Sequence, residues 1–326
     1  MTTSVDPAIL EAAQRACPHC GAGDIVKNGK RDDTQVYLCK PCGKTFTANG
    51  ALPGRRVSPQ IVADAMSVFY EGLSIRDVVR RVEALHGFKP STATIYEWVA
   101  QYTRQADEVT QGFKADTGQT WVADEMVIRA DNRKLWLWSV MDAKSRYVLA
   151  THLSETRTIK DAEKLFRDAK ARSTHAPNQI ITDGLAAYID GIERVFGGDT
   201  KHTVAEGIRF KVNNNLIERL NGTWRERVKV MRGFDNPKSA DLLIDGFRIN
   251  YNHMRPHMGI GNKRPAQAAG IPVVFEDWLA VTSMMPRDVK HLKEMKTMTF
   301  KTRPVVRERR PRLALGFANG GLKVRR

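Results

Sequence analysis

Apolar residues recur at helical spacing in three consecutive segments of the first third of the chain. The first, "SPQIVADAMSVFYEG", has Ser58 as an N-cap, a proline at its first helical position and Gly72 at its end. The second, "SIRDVVRRVEALHG", runs from the cap Ser74 to Gly87, and the third is "STATIYEWVAQYTRQADEV". The pattern predicts three short helices, preceded by a linker with the sequence "GALPGRR".

Three short capped helices are typical of a helix-turn-helix module, and a plain three-helix bundle is the alternative. In a helix-turn-helix module the third helix would enter the major groove of DNA with its N-terminal residues. The residues expected to face DNA are therefore Ser91, Thr92, Thr94 and Tyr96. Helical periodicity alone does not separate the two interpretations.

From residue 118 onward the pattern changes to strands. "QTWVADEMVIRA", "RKLWLWSVMD" and "SRYVLATHL" predict three strands joined by short polar turns. A helix, "IKDAEKLFRDAKARS", a fourth strand, "NQIIT", and a second helix, "AAYIDGIERVFG", follow. This β-β-β-α-β-α order predicts a mixed sheet, antiparallel at first and then extended through a crossover helix. It is the element order of the ribonuclease-H-like α/β fold.

Two aspartates stand at informative places in this predicted sheet. Asp124 lies inside the first strand, where a carboxylate is costly unless it is paired or bound to a metal. Asp183 ends the fourth strand, and on its own it reads as an ordinary turn or cap residue. Because the first and fourth strands are expected neighbours, the two carboxylates should approach each other. A divalent cation would relieve their repulsion.

A third carboxylate lies on the helix predicted for "NNNLIERLNGTWRERVKVMRGF". Glu218 sits about 100° from the apolar stripe of that helix. The same face continues with three cations that could bind phosphate: Arg225, Lys229 and Arg232. An acid that could bind Mg²⁺ beside such cations suits phosphodiester chemistry. Taken alone, Glu218 is more often a solvated helix residue.

Three other acids of this region are expected to have different roles. Glu125 should point to the face of the sheet opposite Asp124, because side chains alternate along a strand. Asp131 and Asp142 fall at hairpin turns, where a structural role is expected.

Composition adds a strong positive charge. The 326 residues carry a formal charge of +16, which favours a polyanionic partner, nucleic acid first. Residues 286–326 hold 13 Lys or Arg against 3 acids, so +10 lies in this segment, which should bind phosphates non-specifically or simply be solvated. No long apolar run predicts a membrane span and no signal peptide is recognisable, so an intracellular protein is expected.

The cysteines of the chain form two C-x-x-C pairs near its N-terminus. They are separated by 18 residues, and short strand-like runs lie between them. This spacing is typical of a zinc ribbon, in which four thiolates hold Zn²⁺ in a tetrahedron. The expected zinc ligands are Cys17, Cys20, Cys39 and Cys42. Two disulfides are the alternative, which an intracellular setting disfavours. The ribbon could contact DNA phosphates or another protein.

Together these motifs carry a resemblance to a known family. Asp124, Asp183 and Glu218 resemble the Asp–Asp–Glu triad of DDE transposases and integrases, and the last two are 35 positions apart. The segments "WVADEM", "SRYVLA", "IITDGLAAY", "NNNLIER", "RGFDNPKSADLLIDGFRINYN" and "NHMRPHMGIG" are similar, in this order, to insertion-sequence transposases of the IS-six type. The resemblance covers roughly residues 118–267. Many relatives have His-Arg three and four positions after the glutamate, where this chain has Asn221 and Gly222, although the basic residue at Arg225 is present.

The resemblance implies an enzyme that cuts and joins DNA. Its expected cofactors are Mg²⁺ (or Mn²⁺) at the triad and Zn²⁺ at the ribbon, and its expected partners are the terminal inverted repeats of its element, target DNA and at least one further copy of itself. It would act in the cytoplasm, associated with the nucleoid. The implied domains are a zinc ribbon (1–50), a helix-turn-helix module (55–112), a ribonuclease-H-like catalytic domain (115–285) and a basic tail (286–326).

Two other functions remain possible on the sequence. A non-catalytic, sequence-specific DNA-binding regulator could have kept a transposase fold, although it need not keep all three acids. A ribonuclease-H-type hydrolase of RNA–DNA hybrids is disfavoured by the ribbon and the three helices, because such modules usually recognise duplex DNA.

Overall fold

The computed structural model describes residues 17–31, 34–47, 52, 55–205 and 214–284, so the basic tail lies outside the described residues. At the N-terminal end, three strands form an antiparallel sheet around the cysteine pairs. In order they are β1 (Ile25–Arg31), β2 (Thr34–Cys39) and β3 (Thr45–Thr47). A small sheet between two C-x-x-C turns is the arrangement expected of a zinc ribbon.

The three predicted helices are present, and Ser58 and Ser74 stand at the predicted N-cap positions, although the Ser58 side chain makes no capping hydrogen bond. The helices are α1 (Pro59–Tyr70), α2 (Ile75–His86) and α3 (Thr92–Thr110). The Ser74 hydroxyl accepts the backbone N–H of Asp77 at 3.2 Å, and α2 ends at Gly87, whose φ of +64° is readily adopted only by glycine. Ser91 caps α3 in the same way. These caps explain why local sequence defines the helix ends so well.

The predicted mixed sheet is also present, and it contains one strand more than expected. Its strands are β4 (Thr120–Ala130), β5 (Arg133–Asp142), β6 (Val148–Ser154), β7 (Gln179–Thr182) and β8 (Lys201–Val204). They lie in the order β6-β5-β4-β7-β8, with β4 antiparallel to β5 and parallel to β7. The first and fourth strands are therefore neighbours. The additional strand, β8, is a four-residue edge strand with no buried residue, so its sequence lacks the apolar signature that predicts a strand.

Helices cover both faces of this sheet. They are α4 (Ile159–Ala171), α5 (Ala186–Phe196), α6 (Asn215–Met231) and α7 (Pro237–Ile249), followed by the short α8 (Pro265–Ala268) and α9 (Trp278–Ser283). Alternate residues of β4 separate the two cores. Trp121 packs in one core with residues of α4 and α5, whereas Val122 packs in the other with Ile217 and Trp224 of α6.

The three-helix unit shares its core with the helices behind the sheet. Tyr70, at the end of α1, stacks on Trp278 at 4.8 Å and meets Phe247 edge-on at 5.4 Å. Arg248 of α7 forms a buried ion pair with Asp107 of α3, 3.1 Å away. The domain bounds at 112 and 115 remain a prediction, but the two units pack against each other through one continuous apolar cluster.

Gly246 on α7 is where this packing is tightest. A Cβ placed there would lie 1.9 Å from the Tyr70 hydroxyl oxygen, and that hydroxyl is itself hydrogen-bonded to Thr103. Gly246→Ala is therefore expected to lower the free energy of unfolding by about 1–3 kcal/mol. Chemical denaturation followed by circular dichroism measures this change.

Gly222→Ala is the matched control, because a Cβ at Gly222 on α6 would meet nothing within 4 Å. It should leave stability unchanged or raise it by up to about 1 kcal/mol, since alanine is the better helix former. Equal stability of the two variants would contradict the close packing described here.

Candidate functional site

The parallel pairing of β4 and β7 brings Asp124 and Asp183 to the same level of the sheet. Trp121 pairs with Ile180 and Val122 with Ile181, so two positions further along the chain Asp124 and Asp183 lie at the same level. Asp183 directly follows the last residue of β7. The two carboxylates that the sequence analysis expected to approach are thus brought together at one end of the sheet.

Gly184 lets the chain leave the sheet behind Asp183. Its φ of +87° is unfavourable for other residues, and a Cβ there would lie 2.9 Å from the Val204 side chain. Asp183 Oδ1 accepts the backbone N–H of Leu185 at 3.1 Å, while 38% of the Asp183 side-chain surface stays exposed. The turn therefore fixes the carboxylate without burying it.

Glu125 joins these two aspartates, which the sequence analysis did not predict. One carboxylate oxygen from each of Asp124, Glu125 and Asp183 lies within 4.8 Å of the others. Glu125 does lie on the opposite face, as strand alternation requires, since Tyr188 of α5 donates its hydroxyl to Glu125 Oε2 at 2.5 Å. The part of β7 that pairs with β4 ends at Ile181, two residues before Asp183, so the Asp183 carboxylate lies past the paired edge of β4 and within reach of Glu125.

Arg157 places a positive charge beside this cluster. Its guanidinium forms an ion pair with Glu125, lies 3.8 Å from Asp183 Oδ2, and stacks over the Trp136 ring at 4.7 Å. Arg157 offsets part of the negative charge of the cluster. No local sequence signal indicates this role, because every one of these contacts joins separate elements.

Asp124 is the most perturbed acid of the site. Burial, together with the charges of Glu125, Asp183 and Glu218, raises its pKa to about 7. Asn221 of α6 donates its Nδ2 to Asp124 Oδ2 at 2.8 Å. The Oδ1 atom of Asn221 is shielded from solvent and has no hydrogen-bond partner in the described part of the chain. Asn221 is thus in direct contact with a candidate metal ligand.

Glu218 stands apart from the tight carboxylate cluster. It is exposed in the first turn of α6, close enough to Asp124 for its charge to raise the pKa of that residue. Arg225 and Lys229 follow it as exposed residues of the same helix. The helix α6 ends at Met231, so Arg232 lies at its C-cap, with a φ of +58°, and stands at the end of this face.

The four residues expected to face DNA lie at the start of α3. Ser91 and Thr92 are exposed, and Thr94 and Tyr96 are half-buried. The Ser91 hydroxyl accepts the backbone N–H of Thr94 at 3.0 Å, so part of its hydrogen-bonding capacity serves the helix cap. Tyr96 lines an open cleft of about 760 Å³ between the three-helix unit and the α6–α7 corner, together with the cations Arg76, Lys229 and Arg232.

The two acids at hairpin turns have the structural environments expected of them. Asp131 lies in the β4–β5 turn with a φ of +50°. Asp142 is fully buried, and its carboxylate accepts the N–H groups of Gly118 and Ser145, both at 2.8 Å.

The carboxylate cluster fits a hard divalent cation. Oxygen ligands of one Mg²⁺ lie about 2.1 Å from the ion, so two of them are separated by about 3 to 4.2 Å. The oxygens of Asp124 and Asp183 lie within 4.8 Å, and a small side-chain adjustment would bring them to that separation. Asp124 and Asp183 could therefore hold such an ion, with an exposed third carboxylate, Glu218, on the helix beside them.

The four cysteines form a second candidate metal centre. The Sγ atoms of Cys17 and Cys42 are 3.7 Å apart, and those of Cys20 and Cys39 are 3.5 Å apart. Sulfurs at about 2.3 Å from a tetrahedral Zn²⁺ are separated by about 3.8 Å, whereas a disulfide requires about 2.05 Å. All four thiols are free. These separations fit a tetrahedral zinc site and exceed the length of a disulfide bond.

Part of the chain resembles a known family. Residues 118–257 match the family model of a DDE domain. None of the curated proteins matches this sequence. None of the helices in the described part of the chain combines the length and apolar composition that crossing a bilayer requires.

Similar solved structures come from retroviruses. The HTLV-2 integrase catalytic core domain in complex with magnesium, in its trimeric form, is 16% identical, with a TM-score of 0.36 and coverage of 48% of this chain and 99% of that one. The simian T-cell lymphotropic virus intasome in complex with PP2A regulatory subunit B56 gamma is 17% identical, with a TM-score of 0.37 and coverage of 66% of this chain and 77% of that one. The catalytic core domain of BIV integrase is 14% identical, with a TM-score of 0.35 and coverage of 47% of this chain and 93% of that one.

Proposed function

We propose that this protein cleaves and joins DNA strands in a reaction that depends on Mg²⁺ or Mn²⁺, because residues 118–257 match the family model of a DDE domain. The observation that carries the proposal is the convergence of the Asp124 and Asp183 carboxylates at the ends of two neighbouring parallel strands. Burying a carboxylate beside two other carboxylates lowers the stability of the fold unless a cation neutralises the charge. Such perturbed acids are typical of catalytic sites.

We assign Asp124, Asp183 and Glu218 as the metal ligands. Both carboxylate oxygens of Glu125 already accept hydrogen bonds, one from Arg157 and one from Tyr188, and only 2% of its side-chain surface is exposed. Glu218 is exposed on the helix that presents the phosphate-binding cations, so it is better placed to reach an ion shared with DNA. Divalent ions at such a site lower the pKa of an attacking hydroxyl and stabilise the leaving oxygen.

The remaining residues of the chain would position DNA at these carboxylates. Arg225, Lys229 and Arg232 would bind phosphates beside the metal site, and the start of α3 would contact bases of the element ends. The cysteine cluster would bind one Zn²⁺ and hold the ribbon as a further DNA contact. Joining two ends calls for at least a dimer, and such a protein would act where chromosomal DNA is, in association with the nucleoid.

A DNA-binding regulator without activity is the second candidate. It predicts DNA binding that needs neither the carboxylates nor a divalent ion. The retention of all three acids, with Asp124 half-buried among like charges, favours the enzyme.

The experiment that tests the proposal uses the full chain and duplex DNA carrying the repeats that flank its own gene. Strand cleavage and joining should occur with Mg²⁺ or Mn²⁺, and should stop when EDTA removes the ion. DNA binding in the presence of Mg²⁺, with no cleavage or joining of any flanking repeat, would favour the regulator instead.

A further inference from the structure

A second basic site lies on another flank of α6. Arg146, Arg219 and Arg255 line a pocket of about 230 Å³, together with His257, Thr223 and Tyr251. No Asp or Glu is among its lining residues in the described part of the chain. Three arginines therefore meet around one small cavity with no described carboxylate in its lining, and Asp142 is the carboxylate whose charge acts on Arg146 from outside the pocket.

These cations lack partners as far as the structure describes the chain. None of the three guanidinium groups lies within 4.0 Å of a described carboxylate. Arg146 Nη1 and His257 Nε2 are shielded from solvent, and neither has a hydrogen-bond partner among the described residues. Buried polar atoms are usually paired, so two such atoms lining one pocket indicate a missing ligand.

The local charges point to an anion. Burial and the neighbouring Arg219 lower the pKa of Arg146 by more than Tyr251 and Asp142 raise it. Burial, Arg255 and Arg146 lower the pKa of His257 to about 4. An anion between these groups would relieve the repulsion, and it would receive hydrogen bonds from the guanidinium groups.

The pocket lies close to the proposed metal site. Arg219 directly follows Glu218, and Thr223 lies one turn farther along the same flank of α6. The pocket and Glu218 lie on opposite flanks of α6. An α-helix with its side chains is about 10–12 Å across, so the two sites are separated by roughly the width of one helix. A single nucleic acid could contact both.

We propose that this pocket binds a phosphate group of the DNA backbone. The inference rests on the proposed function, because it assumes DNA as the substrate. The cavity has a volume of about 230 Å³, and one water molecule takes up roughly 30 Å³. The cavity therefore admits a phosphate group and a few waters, but no folded segment of a protein. The planar guanidinium groups match phosphate oxygens in pairs, and the net charge of +16 agrees with a polyanionic partner.

The test compares the double variant Arg219→Gln/Arg255→Gln with Arg194→Gln. Arg194 is an equally exposed arginine on α5, 3.6 Å from Glu163 and away from the pocket. Binding of a fluorescent duplex to the full chain is measured by anisotropy over a range of salt concentrations. The double variant should bind roughly tenfold more weakly at low salt, and the slope of log K against log salt should fall by about 0.9, as expected when one phosphate contact is lost.

Three results would overturn the proposal. The first is an affinity and salt slope of the double variant equal to those of Arg194→Gln. The second is a loss of self-association with unchanged DNA binding, which would assign the pocket to acidic side chains of a second copy. The third is a wild-type protein with no salt-dependent DNA binding. The assay needs no catalysis, so a protein that binds DNA through the pocket but never cleaves it would contradict the proposed function and leave this inference standing.

Discussion

Asp183→Asn is expected to slow Mg²⁺-dependent strand cleavage and joining by roughly 10³-fold or more, while binding to the element ends stays near the wild-type value. The substitution keeps the size of the side chain and its contact with Leu185, but it removes the negative charge that holds the ion. A metal ion contributes several kcal/mol to transition-state stabilisation, and each 1.36 kcal/mol corresponds to a tenfold change in rate. A strand-transfer assay on labelled duplex ends, run beside a gel-shift assay, measures both quantities.

Asp190→Asn is the matched control for this prediction. Asp190 is an exposed residue of α5, the helix that follows Asp183, and it lies outside the carboxylate cluster. The same change of charge at Asp190 should therefore leave the rate unchanged. Strand transfer by Asp183→Asn at the wild-type rate would show that Asp183 is not part of the active site. A parallel loss of DNA binding would indicate that the variant acts on folding or on DNA contacts.

Cys39→Ser is expected to release zinc and unfold the ribbon, leaving the α/β region folded. Cys39 is fully buried, and its Sγ lies 3.5 Å from that of Cys20. Structural zinc contributes an apparent ~10–16 kcal/mol in small zinc domains, and few buried apolar residues are present in this sheet to replace it. Zinc content by elemental analysis, together with protease cleavage confined to the ribbon, measures the effect.

His19→Gln controls for a change inside the same turn. His19 interacts with Cys17 Sγ through its backbone N–H, at 3.4 Å, which a change of side chain preserves. The variant should therefore keep one zinc ion per chain. If Cys39→Ser retained zinc and protease resistance, the four-cysteine centre would be the wrong assignment.

The parts of this structure that follow from short-range chemistry could be predicted from the sequence. Ser74 and Gly87 delimit α2 because capping and left-handed backbone are local requirements. The alternation of β4 and the apolar run of β7 identify both strands, and their pairing follows from the order of elements. The approach of Asp124 and Asp183 is a consequence of that pairing.

The rest of the site depends on contacts between distant parts of the chain. Glu125 was assigned to the opposite face correctly, yet the short pairing of β7 lets its carboxylate approach the aspartates. The role of Arg157 depends on Trp136 and Asp183, and that of Asn221 depends on Asp124, 97 positions earlier. Periodicity places a residue on a face of its own element but does not identify the element that packs against it.

The central claim is that Asp124 and Asp183 hold the same divalent ion. Titration of the full, zinc-loaded chain with Mn²⁺, followed by electron paramagnetic resonance, tests it directly, since Zn²⁺ gives no signal. Asp124→Asn and Asp183→Asn should each weaken the tightest Mn²⁺ site by at least about tenfold, and Asp190→Asn should not. Wild-type Mn²⁺ affinity in either of the first two variants would contradict the claim.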